Sequence, residues 1–482
     1  MFDPIEAPSR PINALNDVVG VLNPSAHSVK SDALIGGFSV DTRSLERGDV
    51  FVALRGARVD GHDFVSEALQ KGAAACLVDR AELTSLYENC IAVSDTLAAL
   101  GYLASAHRKS MNTRLIAITG SVGKTTTKDI LYQIVSASYV ARRTIGNFNS
   151  TVGMPIQLLK LRPEDEWMIA ELGMSTPGEI RTLMKMAQPD YGLWTSVQAV
   201  HLANFDSVDG IARAKAEMVE QLGTDKTLVY NADDPLVVKF CGDFTGRSVP
   251  YGIINPGVEV SGRIHPFSDW SSVSLTLKVT GRSTQLRIPL VGRYNAYNAL
   301  AACAAAYAAG FNIQDFSLGV RQIRPAQHRS DLMVFGRDIR LVDDTYNANP
   351  HAFFQVLRSF APLAPSTYRW LICGDMLELG PSEQQMHSDL GRLISTYGFD
   401  RVTFVGPLSA HAFEAFQQSN RGETFSEHFE SVALAIEGMQ IDIPDKSRIW
   451  LKASRGIHME DLAEHLIAIL EREGQAESAD AV

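Results

Sequence analysis

The hydrophobic positions of the chain form short apolar runs that alternate with helical stretches. Runs such as "VFVAL" and "AACLV" occur in the first 110 residues, and "WMIAELG" and "YGLWTSV" follow in the middle of the chain. Apolar runs of this length, bounded by polar turns, are typical of strands buried in a parallel sheet. The stretch "GIARAKAEMVEQL" has the period of an amphipathic helix instead. The pattern predicts an α/β protein.

Later segments refine this prediction. "SVSLTLKV" and "TQLRIPL" alternate with period two, which predicts an antiparallel hairpin near residues 270–290. The alanine-rich run "ALAACAAAYAAG" at 299–310 is too short to span a bilayer and predicts a buried helix. From about residue 325, "IRLVDDTY", "WLICGD", "VTFVG" and "RIWLKAS" are strand candidates separated by helical segments. They predict a doubly wound unit.

Length and polar segments indicate three domains. A chain of 482 residues is long enough for about three domains. The polar stretch "HRKSMNTR" at 107–114 has no apolar period and is a candidate linker, and the tail "EREGQAESADAV" is predicted to be frayed. We therefore expect a small α/β domain over 1–110, a central domain with a mostly parallel sheet and helices over 111–324, and a Rossmann-like α/β domain over 325–482.

Composition and charge exclude several classes of protein. With 45% hydrophobic and 21% charged residues, the chain has an ordinary globular composition. The formal net charge is −11 and no long Lys/Arg run is present, so neither nucleic acid nor membrane insertion is expected. The five scattered cysteines lack CxxC spacing, which argues against a zinc site and a disulfide framework.

The expected location is the cytoplasm. The start "MFDPIEAPSRP" has neither a basic region nor an apolar region of the kind that signal peptides carry. Scattered, unpaired cysteines fit a reducing compartment. Nothing in the sequence indicates an obligate assembly, so a monomer is expected.

The stretch "LIAITGSVGKTTTK" at 115–128 carries the clearest chemistry. A strand ending at Thr119 leads into a glycine-flanked turn and then a helix, so backbone N–H groups and the helix dipole converge on an anion. Lys124 can reach the β- and γ-phosphates, and the Thr125 hydroxyl can bind Mg²⁺. Only two residues separate the glycines, where the common P-loop has four. The turn predicts a nucleoside triphosphate site formed by Gly120, Ser121, Val122, Gly123, Lys124, Thr125 and Thr126.

Three further residues have two interpretations each. Glu171 ends an apolar strand, where α/β proteins bind ligands, and could hold Mg²⁺ or be an exposed carboxylate. His201 follows another strand and, taken alone, is more often a satisfied polar group than a metal ligand. Lys215 lies among alanines on a predicted helix, where a solvated lysine is the ordinary interpretation.

The segment "TGSVGKTTTK" resembles the shortened P-loop of the Mur ligase family, the ATP-dependent amide-forming enzymes of peptidoglycan precursor synthesis. Other segments resemble family motifs in the same order, over about residues 39 to 460. They are "GNFNSTVGMP" (146–155), "AELG" (170–173), "AVHLANFDSVDGIARAKAEM" (199–218), "NADDP" (231–235), "GRYNAYNALAA" (292–302), "DDTYNANP" (343–350), "CGDMLELG" (373–380) and "LKASRG" (451–456).

Within the family, two motifs indicate the reaction. "DTYNANP" and "GDMLELG" resemble the member that joins D-Ala-D-Ala to UDP-MurNAc-tripeptide. The "DNPR"-type motif of the third-residue-adding ligase is absent from the sequence. "SVDTRSLERGDVFVALRGARVDGHDFV" at 39–65 is shared by both members. The resemblance implies that ATP activates the tripeptide carboxylate as an acyl phosphate, which the dipeptide amine then attacks.

The resemblance also implies roles for individual residues. Lys124, Glu171, His201 and Lys215 would be catalytic, with two Mg²⁺ held by Thr125, Glu171, His201 and a carbamylated Lys215. Asn295 and Asn298 would contact the adenine side of ATP, and Arg329 and Asp344 its phosphate and ribose. The UDP-sugar end would contact Ser39, Asp41, Thr42 and Arg43. The dipeptide pocket would contain Asn347, Asn349 and the segment from Asp375 to Glu378, and Asn147 and Asn149 would also bind substrate.

The chain departs from the family pattern at three positions. Tyr294 replaces a usual histidine, and His328 and Ala453 replace usual glycines. A residue other than glycine at 328 limits the backbone angles available there. These departures affect three assignments: the adenine-side contacts, the role of Arg329 and the conformation of the "LKASRG" loop.

Two alternatives stay open at this point. One is another ligase of the superfamily, either the third-residue-adding enzyme or a folylpolyglutamate synthase, although the latter lacks an N-terminal domain with "DTR…GDVFVALRG". The other is a P-loop switch or nucleotide-binding regulator without ligase activity. A Ras-like switch would carry an NKxD motif, and "NADDP" has no lysine after its asparagine.

Overall fold

A computed structural model describes residues 11–30, 32–56, 58–199, 204–255, 257–265, 270–420, 422 and 424–480 of the chain. The described residues form three separate sheets along the chain, of five, nine and six strands. Most neighbouring strands within each sheet are parallel. The predicted α/β class is confirmed.

The first sheet is small and its central strands are completely buried. Four of its strands are parallel, and β1 pairs with β5 in the antiparallel direction. In spatial order the strands are β1 (Ala26–His27), β5 (Cys90–Ala92), β4 (Ala75–Val78), β3 (Val50–Val52) and β2 (Phe38–Ser39). The helices around it are α1 (Leu15–Leu22), α2 (Val65–Gln70), α3 (Leu83–Leu86) and α4 (Thr96–Lys109).

The second sheet has nine strands, of which the first seven in spatial order from β7 are parallel. The last two, β13 and β14, form the hairpin predicted near residues 270–290. In spatial order the strands are β7 (Ala141–Arg143), β8 (Trp167–Glu171), β6 (Arg114–Thr119), β9 (Tyr191–Trp194), β10 (Thr227–Asn231), β11 (Arg247–Gly252), β12 (Val260–Ile264), β13 (Val273–Val279) and β14 (Arg282–Ile288).

Seven helices accompany this sheet in the described part of the chain. They are α5 (Lys124–Ser136), α6 (Gly153–Leu158), α7 (Glu179–Ala187), α8 (Val208–Gln221), α9 (Pro235–Cys241), α10 (Tyr294–Ala308) and α11 (Phe316–Arg321). The alanine-rich α10 packs against α5 with its alanines almost fully buried, as predicted. Among the described residues, no helix combines the length and apolar character needed to cross a bilayer.

The third sheet is parallel apart from the edge strand β15. In spatial order its strands are β15 (Asp331–Phe335), β16 (Ile339–Asp344), β20 (Ser447–Lys452), β17 (Tyr368–Gly374), β18 (Arg401–Val405) and β19 (Phe425–Phe429). The helices are α12 (Pro350–Phe360), α13 (Glu383–Ile394), α14 (Ser409–Ser419), α15 (Val432–Gly438) and α16 (Glu460–Asp480). Helix α16 continues to Asp480, where the sequence predicted a frayed tail.

The linker predicted at 107–114 is wrong in its first half, because α4 continues through it to Lys109. The side chain of His107 accepts a hydrogen bond from the backbone of Ile12 at 3.1 Å. Arg108 donates to the backbone of Ala187 at 3.1 Å. Both side chains are buried, so two of the polar residues that suggested a linker are interior hydrogen-bonding groups.

An apolar contact joins the second and third sheets. Trp270, just before β13, is fully buried and meets Trp450 of β20 edge to face, with 5.1 Å between ring centroids. Its indole nitrogen donates to the backbone of Ser359 in α12 at 3.1 Å. Edge-to-face aromatic pairs add to the free energy of burial. This contact fixes the side of the third sheet that faces the central domain.

A buried histidine holds the loop that follows β17. The His387 ring on α13 is fully buried; its Nε2 accepts from the backbone of Met376 at 3.0 Å, and Nδ1 lies 2.7 Å from the carbonyl oxygen of Glu383. Nδ1 therefore carries the proton in the neutral ring. Burial lowers the pKa of His387 below its ordinary value, more than the nearby Glu383 carbonyl and Asp375 charge raise it.

We predict that His387→Gln weakens the dependence of stability on acid pH. The folded protein binds fewer protons at His387 than the unfolded chain does, so this residue makes stability fall as the pH drops below about 6.5. Thermal unfolding at pH 7.5 and 5.5 should show a smaller decrease in melting temperature between the two pH values for the variant than for the unsubstituted chain. Substitution of the exposed His458 by glutamine is the control; equal losses in all three proteins would contradict the prediction.

Candidate active site

A cavity of about 180 Å³ lies between the second and third sheets. The turn after β6 and the carboxyl ends of β8, β16 and β20 contribute to its lining, the position at which α/β proteins bind ligands. We call it the interdomain cavity. The sequence-predicted residues that line it are Ser121, Val122, Gly123, Lys124, Thr125, Thr126, Glu171, Asn298, Arg329, Asp344, Asn347 and Asn349.

Two glycines determine the shape of the turn after β6. Gly120 has φ +147°, and a Cβ atom there would lie 2.0 Å from the Thr195 hydroxyl. Gly123 has φ +83°, and a Cβ atom there would lie 2.2 Å from the Asn298 side chain. Neither position could carry a side chain without displacing its neighbour. The turn is therefore held between β9 and α10, directly in front of the N-terminus of α5.

Lys124 and Glu171 share this cavity. The Lys124 ammonium group donates to the carbonyl oxygen of Gly120 at 2.7 Å. Burial lowers the pKa of Lys124 more than the negative charge of Glu171 raises it. The lysine is thus held against the turn by backbone oxygens, at the place where a phosphate would compete for its protons.

Glu171 is a buried carboxylate surrounded by cations. Its exposed fraction is 3%, and burial alone would raise its pKa. The charges of Lys124, Lys128 and Arg329, together with the hydrogen bond from Thr125, outweigh that effect and lower the pKa of Glu171 below its ordinary value. The group is therefore negatively charged at neutral pH.

Thr125 and Glu171 together fit a magnesium ion. The Thr125 hydroxyl donates to Oε2 of Glu171 at 2.8 Å, so two oxygen donors already lie side by side. Mg²⁺ prefers oxygen ligands and takes the remainder of its ligands from water and phosphate. No cluster of three or more His, Cys, Asp or Glu side chains suited to a metal occurs within the described ranges. A protein site for Mg²⁺ in this region would thus depend on the Thr125–Glu171 pair.

Asn149 contacts Glu171 from the other side. Its amide nitrogen donates to Oε1 of Glu171 at 2.9 Å. The sequence predicted a substrate-binding role for Asn149 and Asn147, and neither residue lines the interdomain cavity. Asn147 is exposed, and its backbone oxygen accepts from the backbone of Asn149 at 2.8 Å. Asn149 therefore orients the carboxylate that Thr125 also binds.

Lys215 is buried on α8, with 2% of its surface exposed. Burial lowers the pKa of Lys215 well below its ordinary value, and the positive charge of Lys124 lowers it further. Lys215 thus differs from the solvated lysine that its sequence context would ordinarily indicate. His201, the other residue predicted to hold a second Mg²⁺, lies outside the described residues.

The two asparagines of α10 have different positions. Asn298 lines the interdomain cavity, while Asn295 lies behind it and accepts the Asn298 amide at 2.9 Å. Asn295 donates in turn to the backbone of Val291 at 2.7 Å. Of the two predicted adenine contacts, Asn298 is the one whose side chain reaches the cavity, and Asn295 uses its side chain to position Asn298. Tyr294, which also lines the cavity, hydrogen-bonds through its hydroxyl to Ser330 of the C-terminal unit.

The C-terminal side of the cavity carries Arg329, Asp344 and Lys452. Asp344 ends β16 and accepts from the Lys452 ammonium group at 2.6 Å and from the backbone of Ser330 at 3.1 Å. His328, the residue before Arg329, has φ +59°, which is the left-handed conformation that glycine favours. The Nδ1 atom of its ring lies 2.7 Å from Oδ2 of Asp343. The chain therefore retains a glycine-like turn before Arg329.

Of the residues predicted for the dipeptide, Asn347 and Asn349 line the cavity, and those from Asp375 to Glu378 do not. Asn347 lines it, and its backbone oxygen accepts from Lys452 at 3.0 Å. Asn349 also lines it and caps α12, accepting from the backbone of Ala352 at 2.8 Å. Asp375 lies apart from it, with its carboxylate bound to Ser409 and Leu408 at the start of α14. Its side chain therefore has a structural role.

The residues predicted for the UDP end lie in the N-terminal unit. Ser39 and Thr42 are buried, and neither lines the interdomain cavity. The exposed Arg43 pairs with Asp41 at 2.6 Å, and hydrogen bonds from Arg43 lower the pKa of Asp41 to about 2. These residues form a local polar turn on the first sheet. They are not brought together with Lys124 and Glu171.

Several lining residues were not named from the sequence. Lys452 and Tyr346 lie inside quoted motifs, "LKASRG" and "DDTYNANP", so the motifs marked the segments without distinguishing the side chains. His351 and Gln355 lie on α12 one helical turn apart, a spacing that gives no functional signal by itself. The cavity face of α12 could be recognised only in the folded chain.

Comparison with known proteins agrees with the division into three sheets. The sequence matches three family profiles, described as "Mur ligase family, catalytic domain" over residues 34–108, "Mur ligase middle domain" over 118–306 and "Mur ligase, glutamate ligase domain" over 328–455. The three matches follow one another along the chain in the order of the three sheets.

Relatives of similar length extend this match over nearly the whole chain. A protein of Bacillus subtilis (strain 168), named UDP-N-acetylmuramoyl-tripeptide–D-alanyl-D-alanine ligase, is 33% identical over 90% of this chain and 93% of its own. A protein of the same name from Escherichia coli (strain K12) is 31% identical over 94% and 98%.

Solved structures agree with the fold. A crystal structure of MurF from Acinetobacter baumannii has a TM-score of 0.84 at 29% identity and covers 95% of this chain and 100% of its own. MurF from Thermotoga maritima in complex with ADP shares the fold, with a TM-score of 0.80 at 24% identity over 91% and 98% of the two chains. On the profiles, the relatives and the fold together, the chain belongs to the Mur ligase family.

Proposed function

We propose that this protein joins D-Ala-D-Ala to the carboxylate of UDP-MurNAc-tripeptide at the expense of ATP, giving UDP-MurNAc-pentapeptide for peptidoglycan. The observation that carries the proposal is the interdomain cavity, where the phosphate-binding turn, the charged Glu171 and the ends of the third sheet meet. The relatives that match nine-tenths of the chain are named for this reaction. The sequence motifs "DTYNANP" and "GDMLELG" support the same substrate pair.

The proposed division of labour follows the three predicted domains. Residues 1–110 would bind the UDP-sugar peptide, 111–324 would bind ATP, and 325–482 would bind the incoming dipeptide and part of ATP. The separate sheets and the three successive profile matches support this division. We propose a cytoplasmic location and a monomer; the five cysteines, all free and buried, are consistent with a reducing compartment.

The reaction needs an activated acid, because a carboxylate is a poor acyl donor. Attack of the tripeptide carboxylate on the γ-phosphorus of ATP forms an acyl phosphate and releases ADP. The dipeptide amine then attacks the acyl carbon, loses a proton, and displaces inorganic phosphate. The protein contributes alignment and a field that stabilises negative charge on the phosphoryl oxygens.

The chain's own groups are suited to that task. The turn from Gly120 to Gly123 directs backbone N–H groups and the N-terminus of α5 at the phosphates. Lys124 would exchange its bonds to backbone oxygens for phosphate oxygens, and Arg329 would face them from the C-terminal side. The low-dielectric surroundings strengthen these interactions.

Mg²⁺ would be held by Thr125 and Glu171, with Asn149 orienting the carboxylate. When bound, the ion would neutralise charge on the phosphate oxygens. A second Mg²⁺ is proposed at His201 and a carbamylated Lys215. Carbamylation joins the neutral lysine amine to CO₂ with loss of a proton, turning a cation into a carboxylate. The burial of Lys215 supports the proposal because it favours the neutral amine.

We expect phosphate release from ATP to require both peptide substrates. Neither UDP-MurNAc-tripeptide alone nor D-Ala-D-Ala alone should sustain turnover, since amide formation regenerates the free enzyme. A coupled phosphate assay with each omission, run with lysine- and meso-diaminopimelate-containing tripeptides, tests this. Steady release of phosphate with neither substrate present would favour a switch or a simple ATPase instead.

Asn149→Ala should raise the Mg²⁺ concentration needed for half-maximal activity. Loss of a group that orients a metal ligand typically costs about 10- to 100-fold in metal affinity or activity. A Mg²⁺ titration of the turnover rate measures the change, and added Mg²⁺ should restore much of the activity. Asn147→Ala is the matched control, since that exposed side chain does not contact Glu171. Identical titrations for both variants would refute the orienting role.

Lys215→Ala should lose activity by about 100-fold or more, with partial recovery in acetate or formate. A small carboxylate can take the place that the carbamate would occupy. Arg213→Ala on the same helix is the control, because its side chain is exposed and pairs only with Asp209 among the described residues. A folded Lys215→Ala protein that no short-chain acid rescues would argue against carbamylation.

A further inference from the structure

A second cavity adjoins the interdomain cavity, and the charged part of its lining is mainly basic. It has a volume of about 360 Å³ and shares three residues with the first cavity, Thr125, Arg329 and Tyr346. Its remaining charged lining comes from both the central and C-terminal units. We call it the basic cavity; its lysine and arginine residues are Lys128, Arg143, Arg324, Arg329 and Arg455.

Much of this positive charge lacks a carboxylate partner. Asp129 is the acidic residue of the lining, and it lies 3.5 Å from Lys128 and 3.2 Å from Arg143. Those two cations therefore share one carboxylate. Across the described parts of the chain, Arg324, Arg329 and Arg455 have no carboxylate within ion-pair distance. The cavity thus carries an excess of positive charge that favours an anionic ligand.

Tyr346 holds two of these arginines on one aromatic ring. The Arg329 guanidinium carbon lies 3.9 Å from the ring centroid, and that of Arg455 lies 5.1 Å from it. The ring attracts each cation, while the two cations repel one another. An anion beside them would reduce that repulsion. The backbone of Tyr346 donates to the carbonyl oxygen of His328 at 3.0 Å, which fixes the ring between the two cavities.

Arg455 is presented to the basic cavity by a buried neighbour. Ser454 accepts a hydrogen bond from the backbone of Leu377 at 2.9 Å and donates its own backbone N–H to Asp375 at 3.0 Å. Arg455 itself is exposed and follows directly on this anchored residue. Its guanidinium group is therefore accessible to a ligand while its backbone is held in place.

We propose that Arg455, supported by the Tyr346 ring, binds the terminal carboxylate of the incoming dipeptide in the basic cavity. This inference rests on the proposed function. In an extended dipeptide the amine and the carboxylate are about 7 Å apart. Thr125 lines both cavities, so a dipeptide held at Arg455 could extend its amine past Thr125 into the interdomain cavity, where the acyl phosphate would form. Arg329 faces the phosphate side of the same ring.

The test compares D-Ala-D-Ala with D-alanyl-D-alaninamide, which has the same amine and no carboxylate charge. The unsubstituted enzyme should prefer the carboxylate in kcat/KM by about 10- to 100-fold, as expected for one charge-assisted hydrogen-bonding contact. In Arg455→Met this preference should largely disappear, with a raised KM for D-Ala-D-Ala and unchanged KM values for ATP and UDP-MurNAc-tripeptide. Arg455→Lys should retain part of the preference.

The matched control is Arg162→Met, because Arg162 is exposed and lies outside both cavities. An Arg455→Met enzyme that keeps the full preference for D-Ala-D-Ala would overturn the inference. So would a raised KM for UDP-MurNAc-tripeptide alone, which would assign Arg455 to the acyl donor. If the unsubstituted enzyme shows no dipeptide-dependent turnover, the proposed function itself is overturned. That result is distinct from the two Arg455→Met outcomes, which concern the dipeptide contact alone.

Discussion

Buried positive charge is the constraint around which the cleft between the second and third sheets is organised. Lys215 is buried and Lys124 is half-buried, and Glu171 is the carboxylate whose charge most directly offsets Lys124. Removing ammonium groups from water is costly unless anions compensate them. The chain as a whole has a formal charge of −11, so the positive charge of the cleft contrasts with the negative charge of the rest of the protein. It is thereby suited to phosphates and carboxylates, and the proposed substrates carry both.

The shape of the phosphate-binding turn follows from close packing on both of its sides. Thr195 and Asn298 approach so near to Gly120 and Gly123 that a methyl group at either glycine would overlap them. The Thr195 hydroxyl also donates to the carbonyl oxygen of Val122 at 2.8 Å. A turn with only two residues between its glycines is therefore held from outside by β9 and α10. This support compensates for the shorter loop and leaves the N-terminus of α5 facing the cavity.

Sequence reasoning predicted those parts of the site that depend on local patterns. Apolar runs that end at Thr119 and Glu171 placed both residues at strand ends, and the structure confirms the two strands. It did not predict contacts between distant segments. Asn149 bonds Glu171 across 22 residues, and Asp375 bonds Ser409 across 34. The predicted linker failed for the same reason, since the partners of Arg108 lie about 80 residues away.

The "GDMLELG" segment shows how a motif can act on a site that its side chains do not line. Asp375 binds the start of α14 through its carboxylate, while its backbone oxygen accepts from Ser454. The Leu377 backbone donates to the Ser454 hydroxyl at 2.9 Å. Two segments about 80 residues apart in sequence are thus fixed together immediately before Arg455. The motif therefore sets the position of that arginine, because a displaced Ser454 would shift the guanidinium group away from Tyr346.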